Sequence, residues 1–152
     1  MSKQLYLIGA ASLVSYVLYI TCMWSDRYYY LNIFHDKELS LFCSTQTLKN
    51  HLSSFPELMK DGDFHFKEST LFPFASINLL YAKSYDSWSG DDTNDDYTNL
   101  IAIVCAKKNE EIFQTQLPVF IRIASFLGWT LVDERTDDEV EDYILWAPAR
   151  TY

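Results

Sequence analysis

Asn99-Leu-Ile-Ala-Ile-Val-Cys-Ala106, with the residues that follow it to Glu134, decides how this chain folds. The run is short, apolar and rich in β-branched side chains, the composition of a buried strand. After Lys107-Lys108, Asn109-Glu110-Glu111 supplies a helix start, with Asn as the cap and two acids where the positive end of the helix dipole favours them. Phe113, Leu117, Phe120, Ile121, Ala124 and Leu127 recur at helical spacing and make one apolar stripe. Gly128 stands where a left-handed residue closes a helix, and Trp129-Thr-Leu-Val-Asp133 reads as a further strand. A strand, an amphipathic helix and a strand form the frame on which the rest packs.

Downstream, Arg135-Thr-Asp-Asp-Glu139 is an acidic turn, and Val140-Glu-Asp-Tyr-Ile-Leu-Trp146 is a last strand that Pro148 ends. Upstream, Tyr28-Tyr-Tyr-Leu-Asn-Ile-Phe34 and Leu39-Ser-Leu-Phe-Cys43 flank the polar His35-Asp-Lys-Glu38 and predict a β-hairpin. Ser44-Thr45 can cap a helix carrying Leu48, Leu52, Phe55 and Met59, which Pro56 ends or kinks. Residues 64–74 read as a strand interrupted near Pro73, and residues 75–82 as an uninterrupted one. Residues 85–97 are polar and acidic with a single Gly, the clearest loop in the chain. The order β, β, α, β, β, α, β, β predicts an α+β fold, a mainly antiparallel sheet with two amphipathic helices packed on one face.

The chain divides into a hydrophobic N-terminal segment, residues 1–24, and a single α+β domain, residues 25–152. With 49% hydrophobic and 16% aromatic residues, the chain has ample material for a core. Residues 4–24 carry no charge, and as a helix they are long enough to cross a hydrocarbon layer of roughly 30 Å. They read as a membrane anchor, with a cleaved signal or a core element as the alternatives. Lys3 on the cytoplasmic side of an anchor would leave the domain in the periplasm. A core element would mean a cytoplasmic protein.

The net charge of −9 is uneven: residues 25–85 hold seven acids and six bases, residues 86–152 fourteen acids and five bases. An acidic half lacks the Lys and Arg clusters that bind phosphate, so nucleic acid is not expected as a partner. A basic protein suits it better. Two acidic stretches are candidates for that contact: Asp86, Asp91, Asp92, Asp95 and Asp96 around Trp88, and Asp133, Glu134, Asp137 and Asp138 continuing to Glu139, Glu141 and Asp142. Trp88 is the sort of large aromatic that anchors an interface.

Nothing in the chain predicts catalysis, a metal or a cofactor. From Asp92 the calcium-loop pattern fails, because Tyr97 stands where Gly is required and Ile103 where a Glu ligand belongs. His35, His51 and His65 form no metal pair, there is no nucleophile motif, and four glycines leave no phosphate-cradling loop. Cys22, Cys43 and Cys105 show no metal spacing and are expected as free thiols; a Cys43–Cys105 disulfide would require an oxidising compartment.

In whole-chain character, a small, acidic, aromatic-rich α+β protein without catalytic motifs resembles the bacterial immunity proteins of contact-dependent and type VI secretion systems. The residues that carry the likeness are Asn99-Leu-Ile-Ala-Ile-Val-Cys and Ile121-Arg-Ile-Ala-Ser-Phe-Leu-Gly-Trp-Thr-Leu-Val-Asp-Glu134. The resemblance implies a non-catalytic binder that occludes a cognate toxin, through an acidic, aromatic-containing surface meeting a basic toxin domain. The alternative is a membrane-anchored accessory subunit of a larger assembly.

Overall fold

The computed structural model describes residues 27–150. The segment expected as an anchor, signal or core element lies outside the described residues, as does Cys22. Among the described residues no helix is long and apolar enough to cross a membrane.

Among the described residues, nine strands and two helices follow in the order β1 (Tyr28–Phe34), β2 (Cys43–Ser44), α1 (Thr45–Ser53), β3 (Leu58–Lys60), β4 (His65–Glu68), β5 (Ala75–Leu80), β6 (Tyr97–Thr98), β7 (Leu100–Ala106), α2 (Glu110–Leu127), β8 (Thr130–Arg135) and β9 (Glu141–Trp146). Seven strands make one sheet in the order β3-β4-β5-β7-β1-β8-β9, and β2 pairs with β6 alone. Every pairing is antiparallel. The fold is therefore α+β with a mainly antiparallel sheet, as the sequence order implies.

The pivotal stretch forms as its residues dictate. Asn109 caps α2 by accepting the Ile112 N–H at 2.9 Å, and Gly128 closes it at φ 66°. β7 and β8, the strands on either side of α2, are not neighbours; β1 lies between them and pairs with both. Period-two alternation then sorts the sheet into two faces. Phe66, Ile77, Ile103 and Leu31 face one another in register across four strands, and all are buried in the larger core. α1 supplies Leu48 and Leu52 to this core, and α2 supplies Phe113, Val119, Phe120, Ile123 and Ala124. Both helices thus cover the same face.

The buried stripe of α2 is rotated from the expected one. Leu117, Ile121 and Leu127 are only partly buried, while Gln116 is fully buried, its amide donating to the Phe74 carbonyl at 2.9 Å. A polar side chain can occupy a core position when a carbonyl waits there.

Two local expectations are corrected. Residues 28–43 are not a hairpin: β1 is an interior strand of the sheet, between β7 and β8, and only Cys43 of the second run enters a strand, against Thr98. The reason is that β1 buries apolar residues on both faces, which needs two long strand neighbours rather than one short one. α1 ends at Ser53, before Phe55 and Pro56, and Met59 belongs to β3. Cys43 and Cys105 are free.

A second, smaller core occupies the other face. Phe34, Leu39, Leu80, Ala82, Leu100, Ala102 and Val132 are buried there, with Tyr85 and Trp88 packed over them. The loop between β5 and β6 thus roofs this face. Asn99 fastens the roof, accepting the Ala82 N–H at 2.8 Å and donating to its carbonyl at 2.9 Å.

Candidate functional site

On the roofed face, Asn78, Ala102, Asn32, Val132 and Ile144 stand in register across five strands. Asn32 is buried in the middle of the apolar strand β1, and a buried amide needs partners. It finds them at one end of the roof loop: its Nδ2 donates to the Tyr85 hydroxyl at 3.2 Å. Tyr85 in turn donates to Asp142 Oδ1 at 2.5 Å, and its ring packs on Phe34 at 4.8 Å. Lys37 closes the chain by pairing with Asp142 Oδ2 at 2.6 Å.

This relay from the interior strand β1 to the edge strand β9 forms one wall of a cleft of about 430 Å³, lined by Asn32, Tyr85, Asp86, Trp88, Glu134, Arg135, Glu141 and Asp142. Four carboxylates therefore surround Trp88 and Tyr85, against Arg135 in the lining and Lys37 beside Asp142. Lost hydration, and then the neighbouring Asp142, raise the Glu134 carboxyl above its usual range, although Asn32 offers it a hydrogen bond. Burial, followed by the bond to Asp142, drives the Tyr85 phenol well upward, so it stays a neutral donor. Asp142 sits at φ 50°, in the left-handed region that Asp tolerates better than most residues.

Cation chemistry is what such a cleft favours. Partly desolvated carboxylates attract an ammonium or guanidinium group, and aromatic walls add a face for it. Among the described residues, no three His, Cys, Asp or Glu side chains are placed to hold a metal ion.

The structure brings Asp86, Trp88 and Glu134 together, uniting members of both acidic stretches. It does not bring the others with them. Asp133 points to the helix-covered face, where it is buried, accepts the Arg135 N–H at 3.1 Å and has its pKa raised by burial. Asp137 pairs with Lys107, and Asp138 is exposed in the turn. Asp91, Asp95 and Asp96 are exposed along the roof loop, while the Asp92 carboxylate turns inward to accept the Ser89 N–H at 2.8 Å. Alternation explains the split between Asp133 and Glu134: neighbours on a strand face opposite ways.

Asn32 and Tyr85 were not among the expected site residues. An Asn at the centre of an otherwise apolar strand is the signal that points to the first. Tyr85 carries no sequence mark beyond its place at the start of the loop. No protein-family model matches the chain, and neither a curated protein nor a solved structure does.

Proposed function

We propose that the protein is a non-catalytic binding protein of the immunity type, which neutralises a basic bacterial toxin by occluding it. The observation that supports this most is the convergence of Asp86, Glu134, Glu141 and Asp142 on Trp88 and Tyr85 around one cleft. A Lys or Arg side chain of the partner would enter the cleft, its charge among the carboxylates and its stem against the rings. The acids would steer encounter, and Trp88 would supply buried area. The Asn32–Tyr85–Asp142 relay holds the acceptor in place before binding, which lowers the ordering cost.

The test is protection. Cells that express the toxin encoded beside this gene should survive when they also make the full-length protein. Glu134→Lys combined with Trp88→Ala should abolish survival while the circular dichroism spectrum stays that of the parent. Full protection by that variant would overturn the reading.

A further inference from the structure

Phe42, Tyr81 and Tyr97 form an open ring cluster away from the cleft. Their centroids lie 4.6 Å (Phe42–Tyr97), 6.1 Å (Tyr81–Tyr97) and 6.3 Å (Phe42–Tyr81) apart. They remain 53%, 38% and 44% exposed respectively, with Leu41 beside them at 49%. Isolated exposed aromatics are ordinary; three packed together in water are a contact surface in want of a partner.

The platform is rigid. β2 pairs Cys43 with Thr98 and Ser44 with Tyr97, fixing the chain on both sides of the rings. Buried Thr45 binds the Thr98 hydroxyl at 2.9 Å and donates to the Asn94 carbonyl at 3.0 Å, while its own N–H reaches the Asp96 carbonyl at 3.0 Å. Tyr81 donates its N–H to the Asp92 carbonyl at 2.7 Å. The rings are thereby tied by backbone bonds to the acidic turn Asp91–Asp96, in which Asp91, Asp95 and Asp96 are exposed and no Lys or Arg stands.

We infer that the Phe42–Tyr81–Tyr97 platform is a docking surface for a cationic protein segment, one that lays an Arg or Lys and a neighbouring apolar side chain across the rings. Ring faces attract cations, and the adjoining carboxylates select them over anions. The inference rests on the proposed binding function and adds a second contact region to it. The cleft would take one cationic side chain and the platform another, with the roof loop between them.

The probe is a peptide of alternating Arg and Leu, with an alternating Glu and Leu peptide as control, titrated calorimetrically into the full-length protein. The basic peptide should bind and the acidic one should not. Phe42→Ala with Tyr97→Ala should weaken binding about tenfold, as should Asp95→Lys with Asp96→Lys, two exposed positions in a turn that the Asn94 side chain holds by accepting the Asp96 and Tyr97 N–H groups. Glu134→Gln with Asp142→Asn should leave the platform's share of binding in place. No binding of the basic peptide, or binding that both platform variants retain, overturns the inference. So does a doubling of mass in the free protein that Phe42→Ala removes, since a second copy would then be the occupant. Toxin protection retained by the platform variants but lost with Glu134→Lys would remove the platform and leave the proposed function standing.

Discussion

Asn99→Leu is the substitution with the largest expected effect on the cleft from outside it. Asn99 is buried and makes paired hydrogen bonds to the N–H and carbonyl of Ala82, itself buried. Leucine fills similar space, admits no water and strands both backbone groups. Each stranded buried group costs about 1–3 kcal/mol, and partial relaxation of the loop brings the sum to about 2–4 kcal/mol. With a urea slope of about 1–3 kcal/mol per molar, the unfolding midpoint should fall by roughly 1–2 M. The loop that carries Tyr85 and Trp88 starts at this clamp, so the variant should also bind the proposed partner more weakly at temperatures where it is still folded. A midpoint within about 0.3 M of the parent would show that Asn99 does not fasten the roof, and would refute the reasoning.

Other expectations concern stability, pH and thiol chemistry. Phe120, fully buried on the inner face of α2, should cost about 3–5 kcal/mol when replaced by Ala, measured by urea unfolding. Pro118 sits exposed inside α2, so Pro118→Ala restores the N–H that the helix lacks there and should raise stability by roughly 1–3 kcal/mol. Because the folded state raises the Glu134 pKa, it binds that proton more tightly than the unfolded chain, and stability is lost as pH rises through the raised value. Glu134→Gln should therefore raise the urea midpoint near pH 7, with a gain that disappears at about pH 4. Burial pushes the Cys105 thiol up to about 12, so its alkylation, followed by peptide mass mapping, should wait for unfolding.

What the sequence revealed of the fold was local and capped. Asn109, Gly128 and the apolar spacing between them locate α2 within a residue or two, because each acts on its own neighbourhood. β3 and β6, with three and two residues, carry too little pattern to be read. The failed hairpin at residues 28–43 shows a different limit. A strand apolar on both faces matches the interior of a sheet, but its true partners, β7 and β8, lie some seventy to a hundred residues away. The candidate site was half legible for the same reason. Acidic stretches advertise themselves, yet only strand alternation decides that Glu134 enters the cleft while Asp133 turns into the helix-covered face. Asp142 joined the site through β8–β9 pairing and its left-handed backbone, neither of which composition encodes.

The most direct test of the central claim is calorimetric titration of the full-length protein with the toxin domain proposed as its partner, at rising salt concentration. Saturable 1:1 binding is predicted, with affinity that falls as salt rises and falls at least tenfold more in Glu134→Gln with Asp142→Asn. Salt-insensitive binding that survives both substitutions unchanged, or no binding at all, would contradict the account.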